Sequence, residues 1–449
     1  NASGGVLSIF TKRPEDSFFG EVRLTLTDDD AWGMMGQVTG PISDNVRGRL
    51  SFYNRDFDGF VENVTNGDTI NGDESKGVRG KLDIDLGMND NVYIIADYSK
   101  QERDCCTPVL QSIGRGSLAD LHQLGEDYAD VDVSWGNNKV KIASPAYSNT
   151  ETGGISVEYN HSFEDFALTS ITAYRGFTLE TAQDADINPY TSPVTGHVLF
   201  TKNGASGGGE QQQTQFSQEL RLSGQATDNI FLTAGAFYWE QTVERYFERE
   251  VMRCADAYDP AVGTVACSEE GSGIGFAAMD SKVDTRNYAF FGQADWDVTE
   301  DFTASLGLRY TKDEISFDFA RGAAVITGPF SGLPALPASA GYFTNETEDD
   351  ALTGRLALSY DINDTTMIFG SYAEGYKAPA FDLIFSLNES RTAPVPAETN
   401  KAWEGGVRSE FFDRRLRLSV TGFHTTFENF QGQAYNPETV TFSLTSAGE

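Results

Sequence analysis

The stretch Tyr288–Thr311, YAFFGQADWDVTEDFTASLGLRYT, decides how the rest of the chain is read. In its first arm Tyr288, Phe290, Gly292, Ala294, Trp296 and Val298 share one side of a period of two. Ala289, Phe291, Gln293, Asp295 and Asp297 share the other. In its second arm Phe302, Ala304, Leu306, Leu308 and Tyr310 oppose Thr303, Ser305, Gly307, Arg309 and Thr311. Successive side chains of a strand point to opposite faces, so this alternation predicts two β-strands. Glu300-Asp301 between them reads as a tight polar hairpin turn. Each strand has one apolar face and one mixed polar face.

The same unit recurs along the sequence. In VRGKLDIDL, Val78, Gly80, Leu82, Ile84 and Leu86 oppose Arg79, Lys81, Asp83 and Asp85. In VRGRLSFYNR, Val46, Gly48, Leu50 and Phe52 oppose Arg47, Arg49, Ser51, Tyr53 and Arg55. RLRLSVTGFHTTF is less regular: Leu416, Leu418 and Val420 share a parity that Phe423 and Phe427 leave. A bulge or twist near Gly422 is the expected reason. Short polar turns are expected at Ser43-Asp44-Asn45, Asn89-Asp90-Asn91, Glu164-Asp165, Thr227-Asp228-Asn229, Glu300-Asp301, Asn363-Asp364 and Asp413-Arg414. Between them lie long Gly- and Ser-rich stretches at 101–152, 177–212, 246–283 and 321–349. Structureless loops of that size are unusual in a compact soluble domain. Short turns on one rim and long loops on the other are the layout of an antiparallel transmembrane β-barrel. Seven turns give fourteen strands, and FFGEVRLTLT and ETVTFSLT bring the expected count to about sixteen. A soluble sandwich or propeller is the competing architecture, but its strands would be shorter and its loops less one-sided.

Composition agrees. The 449 residues carry 33 Lys plus Arg against 67 Asp plus Glu, a net charge of −34. A chain this acidic lacks the basic face that nucleic acid requires. Aromatic residues make up 12% and glycines number 45, the composition of a turn-rich β-protein. Mean hydropathy is −0.37, and no run approaches the ~18 apolar residues of a membrane helix. A barrel is compatible with both, because its lipid-facing residues are every second one.

Several motifs together resemble the TonB-dependent outer-membrane receptors. NASGGVLSIFTKRP (Asn1–Pro14) is similar to the last plug strand of that family and its passage into the barrel. QFSQELRLSG (Gln215–Gly224) and GSYAEGYKAPAFD (Gly370–Asp382) resemble its barrel strands. So do FYNRDFDGFVENV, GVRGKLDIDL and the segment Glu398–Gln431. The resemblance implies an all-β fold, with residues 1–14 as plug end and linker and 15–449 as part of a barrel of 22 strands. It also implies an internal fragment, with the plug body, Ton box and signal peptide upstream and about six strands downstream. The implied function is energy-coupled import of a scarce substrate, most commonly an iron–siderophore chelate, from the extracellular loops. The implied partners are the TonB energy-transducing complex, the small-molecule chelate or other nutrient, and outer-membrane lipid and lipopolysaccharide. A passive porin-like channel and a secreted acidic adhesin are the alternatives.

The search for other chemistry returns no enzyme and no cofactor. His122, His161, His197 and His424 are scattered, without metal-ligand spacing. GSGIGF (Gly271–Phe276) has a glycine pattern but no strand-to-helix context for a dinucleotide. In GDTINGDES, Asp68, Asn71 and Asp73 could approach Ca²⁺, yet the twelfth-position Glu of an EF-hand is missing, and a solvated loop is the favoured reading. All four cysteines fall in expected loops. Cys254 and Cys267 could close one loop, while Cys105 and Cys106 are adjacent. Vicinal bridging, cross-loop pairing, free thiols and buried reduced thiols stay open.

For ligand contact the candidates are Tyr376, Lys377 and Phe381, which leave a strand at its long-loop end. An aromatic pair offers flat apolar surface, and Lys377 a cation for an anionic group. The competing reading puts Tyr376 in a membrane-interface belt with Lys377 snorkelling beside it.

Overall fold

The computed structural model describes residues 7–28, 30–64, 66–105, 107–112, 131–140, 142, 146–182, 198–199, 208–254, 258–259, 263–264, 272–326, 336–337, 339–436 and 441–447. Side chains are not described at 198–199, 250–274, 435–436 and 441–442.

Among these residues one antiparallel meander dominates. Its strands are β1 (Phe19–Leu26), β2 (Trp32–Ser43), β3 (Val46–Phe57), β4 (Asp73–Asp85) and β5 (Asp90–Glu102). They continue as β6 (Tyr147–Ser162), β7 (Phe166–Ala182), β8 (Gly208–Thr227), β9 (Ile230–Cys254) and β10 (Ser272–Asp297). The last five are β11 (Phe302–Arg321), β12 (Gly341–Asn363), β13 (Thr366–Lys377), β14 (Glu398–Phe411) and β15 (Leu416–Glu428). Each pairs with its sequence neighbour, and two short pieces, Val198–Leu199 and Val325–Ile326, complete the 17-stranded sheet. β1 pairs only with β2 and β15 only with β14, so both are sheet edges here.

All seven expected turns join consecutive strands at one rim. Two other expectations change. ETVTFSLT does not extend the meander: Thr441–Ala447 (β17) pairs with Phe430–Asn436 (β16) as a separate hairpin at the loop rim. The expected bulge near Gly422 is absent too. β14 and β15 keep one register from Thr399↔Glu428 to Phe411↔Leu416, so Phe423 and Phe427 do face the other side. The left-handed residue lies further on, at Asn429 (φ 55°).

That parity carries the architecture. On β11 the outward residues are Leu306, Leu308 and Tyr310, all exposed, followed by Lys312, Glu314, Ser316 and Asp318. The inward residues run Ser305, Arg309, Thr311 and Asp313, then Ile315, Phe317 and Phe319, of which the last five are buried. Apolar and polar thus exchange faces part-way up the strand while the alternation continues. β12 repeats this outward: Tyr360, Leu358, Leu356 and Leu352 give way to Asp350, Glu348 and Glu346. In β10, Trp296, Phe290 and Tyr288 give way to Arg286, Asp284 and Lys282. The apolar band from Phe302 to Tyr310 spans nine residues. At ~3.3 Å per residue and ~40° tilt it stands ~23 Å high, matching the ~25 Å apolar belt of an outer-membrane barrel. Above it β9–β12 rise into water. Within the stretches 177–212, 246–283 and 321–349, expected as loops, residues 177–182, 208–212, 246–254, 272–283 and 341–349 are therefore strand, with β9 running 25 residues and β10 running 26.

Candidate functional site

The inner face above the band is where the structure gathers aromatic and cationic groups. Ala277, Met279, Phe317 and Phe319 from β10 and β11 are buried there, with Phe247 of β9 and Phe343 of β12 beside them. The connection 378–397 folds inward onto this surface instead of projecting away. It delivers Phe381, Leu383, Phe385 and Leu387. Phe381 meets Phe317 edge-on at 4.7 Å, and Phe385 meets Phe247 at 5.3 Å.

Polar contacts fix the connection as well. Ala380 and Val395 form a bridge across its base. Arg321 Nη1 donates to the carbonyls of Phe385 (2.8 Å) and Leu387 (2.9 Å). Asn345 Nδ2 donates to Thr392 O at 2.9 Å. Asn388 caps the 3₁₀ turn Glu389–Arg391 by accepting the Ser390 N–H. The β16–β17 hairpin is tied to the same base. Gln431 N donates to buried Glu398, and Gln431 Nε2 donates to the carbonyls of Ala378 and Pro396, each at 2.9 Å. Burial pushes the Asp382 carboxyl above the usual carboxylate range, against the opposing Leu444 N–H and the Arg391 charge.

Three guanidinium groups lie on aromatic rings of this wall. Arg245 is 5.2 Å from the Phe247 ring, and Arg249 lies 5.7 Å from Phe247 and 5.0 Å from Phe385. Lower down, Arg309 lies between Phe237 and Phe291 at 5.7 and 5.8 Å. Stacking of this kind holds a planar cation flat against an apolar surface. Sequence reading passed over these arginines. The signal for Arg245 and Arg249 was the odd-numbered run Arg245, Phe247, Arg249, which carries the β9 alternation into a stretch expected as loop.

The expected ligand residues are placed as follows. Tyr376 is half-buried where β13 leaves β12, since their pairing stops at Arg355↔Ala373. Its hydroxyl donates to Asp349 Oδ2 at 3.0 Å. The Asp349 and Asp313 carboxylates and burial push its pKa far up, with burial the largest cause. Phe381 is committed to the packed cluster, while Lys377 is exposed, opposite Glu398 in register. The structure thus brings Tyr376 and Phe381 to one wall and leaves Lys377 at the surface.

The other loop unit is built on side chains that imitate backbone. Val61, Ile70, Val140 and Ile142 form a small core around strands 61–63, 68–70 and 139–140. Asn63 exchanges two hydrogen bonds with Ile142, both 3.2 Å, and Asn71 exchanges two with Thr107, both 3.0 Å. Asp68, Asn71 and Asp73 therefore do not converge. Asn66 holds Asp68, while Gln101 and Arg103 hold Asp73. Cys105 is disulfide-bonded. Cys106, Cys267 and the side chain of Cys254 lie outside the described residues. GSGIGF, expected in a loop, enters β10 from Ser272 onward.

Residues 110–449 match the family described as TonB dependent receptor-like, beta-barrel. The chain belongs to that family. Its members are outer-membrane receptors and transporters, not enzymes. The pesticin receptor of Yersinia pestis is 20% identical over 438 residues, covering 95% of this chain and 54% of that protein. The pesticin receptor of Yersinia enterocolitica serotype O:8 gives the same identity and coverage. Among solved structures, the ferric yersiniabactin uptake receptor FyuA of Yersinia pestis superposes with a TM-score of 0.69 at 15% identity. The match covers 94% of this chain and 56% of that one. The siderophore receptor PiuA of Acinetobacter baumannii gives 0.65 at 13%, covering 96% and 60%. The TonB-dependent receptor chain described here spans about half the length of the curated relatives it matches.

Proposed function

We propose that this barrel belongs to an importer that captures an anionic ferric chelate at its loop rim and admits it when TonB-transmitted energy displaces a plug. The carrying observation is the inner wall above the lipid band, where Arg245 and Arg249 lie on Phe247 and Phe385 in a chain of net charge −34. Flat rings and guanidinium groups suit the aromatic, carboxylate-rich surface of a metal chelate. Tyr376, Lys377 and Phe381 belong to the proposed mouth, with Phe381 acting through the connection it anchors. Residues 1–14 are proposed as the plug end and linker. They are an irregular segment from Leu7 to Pro14 in the structure. The relatives named for ferric yersiniabactin and siderophores support the substrate class.

The test is uptake of radiolabelled ferric chelates by cells expressing the full-length receptor, with and without TonB. TonB-dependent uptake that falls in an Arg245→Ala, Arg249→Ala variant is expected. Uptake independent of TonB would mark a passive channel instead.

A further inference from the structure

β12 is the last tall strand of the wall, and along its upper part β13 is no longer beside it. Its pairing with β13 stops at Arg355↔Ala373, while its pairing with β11 continues up to Gly341. The Asp361 N–H donates to the Asp301 carbonyl on the β11 side, so the odd-numbered backbone groups of β12 serve β11 and the even-numbered ones point toward β13. Two of those even-numbered N–H groups are met by side chains and not by a strand. Gly354 donates to Glu374 Oε2 at 3.1 Å, and Glu346 to Asn345 Oδ1 at 2.8 Å. Among the described residues, the N–H groups of Thr344, Glu348, Asp350 and Leu352 have no partner. This edge begins where the apolar band ends, because Leu352 lies opposite Tyr310. Its outward side chains include Glu346, Glu348 and Asp350, all exposed, with Lys312 of β11 reaching Glu348 at 2.9 Å. Its inward side is crowded: Asn345 Nδ2 holds the Thr392 carbonyl and Asp349 takes the Tyr376 hydroxyl, which brings the 378–397 connection close behind.

We propose that residues 342–352 are a docking edge for an extended segment of a partner protein, added antiparallel to β12, with Lys or Arg at every second position and small residues between. The open N–H and C=O groups supply the hydrogen bonds of strand addition. Antiparallel addition follows the rest of this sheet, in which every strand pair is antiparallel. Residues directly opposite each other share a face, so the basic side chains lie over Glu346, Glu348 and Asp350. The small ones face the connection, where there is no room for long side chains. The same carboxylates repel an acidic strand and so select against a second copy of this chain, whose net charge is −34. The docking uses the outer wall above the band and needs neither the lumen nor the transport reading.

The experiment adds the capped peptide Lys-Thr-Lys-Thr-Lys-Thr-Lys to the full-length receptor in membrane vesicles and follows amide hydrogen exchange. The amides of Thr344, Glu348, Asp350 and Leu352 are expected to slow by about tenfold or more, and unchanged exchange there overturns the proposal. The same peptide N-methylated at its Lys amides keeps every charge but loses its bonds toward β12. It is expected to give no protection, and protection equal to that of the parent peptide overturns strand addition in favour of a charged patch. The water-facing variant Glu346→Gln, Glu348→Gln, Asp350→Asn is expected to raise the Kd of the parent peptide by about tenfold or more, as loss of three cross-strand charge pairs requires. An unchanged Kd overturns the selection for a basic strand. Both peptide arms use the unmutated receptor, so they decide even if the triple variant folds poorly.

Discussion

The lower and upper halves of β10–β12 follow one backbone rule and two opposite chemistries. Below Tyr310 the outward face is Leu306 and Leu308 and the inward face Ser305 and Arg309; above it the outward face is Lys312 and Glu314 and the inward face Ile315, Phe317 and Phe319. Strand parity is set by the pleat, whereas which parity is apolar is set by what each side touches. In the lower half lipid is outside and a polar lumen inside. In the upper half water is outside, and a folded connection presses from within.

The comparison can be broken from its apolar upper interior first. Phe319, fully buried against Phe343, should cost about 3–5 kcal/mol on replacement by Ala, counting lost transfer and the cavity left. Because its load is the 378–397 connection, hydrogen exchange there should rise while the band strands keep their protection. The outward face tests the two solvents directly. Leu306→Arg should cost about 2–4 kcal/mol if it faces mid-bilayer, whereas Ser316→Arg, same face and strand, should stay within about 0.5 kcal/mol. Chemical unfolding of the folded receptor in vesicles reads both.

Two smaller effects sharpen the upper half. Arg321→Met removes two charge-assisted bonds to the Phe385 and Leu387 carbonyls, worth about 1.5–3 kcal/mol, and should loosen the same connection without cavity formation. Protease sensitivity of 378–397 would report it. Asp313 gives the smallest effect. Burial holds its carboxyl above the ordinary value of 3.8, with Asp349 adding to the rise and the Asn287 and Tyr376 hydrogen bonds and Arg309 opposing it. The folded state then binds this proton more readily than the unfolded one. Stability at this wall is highest below that ordinary value and declines as pH climbs through the raised one. Asp313→Asn should flatten that part of a thermal-unfolding pH profile.

The same contrast explains what was legible in the sequence. All seven turns and the faces of 46–55, 78–86 and 288–311 could be read because short Asx-rich turns and lipid-side periodicity are local. The upper strands were mistaken for loops because their outward residues are charged, and Phe423 and Phe427 were mistaken for a bulge because their parity is apolar inward. Both errors came from expecting one polarity along the whole strand. The loop unit at 61–142 was out of reach for another reason. Its order depends on Asn63 meeting Ile142, 79 residues away, and no local pattern announces such a pairing. Tyr376, Lys377 and Phe381 were chosen from the local strand end alone, and the partners Asp349 of Tyr376 and Phe317 of Phe381 come from strands whose upper halves had not been recognised. Arg245 and Arg249 were missed with them.

The central claim is that the polarity exchange at Tyr310 marks the membrane border. The direct measurement is a series of single spin labels at Leu306, Leu308, Lys312, Glu314 and Ser316 in the bilayer-embedded receptor, comparing collision with oxygen and with a water-soluble nickel chelate. The expected result is oxygen-rich, nickel-poor labels at 306 and 308 and the reverse from 312 onward, with a sharp crossing at 310. Uniform nickel accessibility along the whole face, or a crossing above 316, would contradict it.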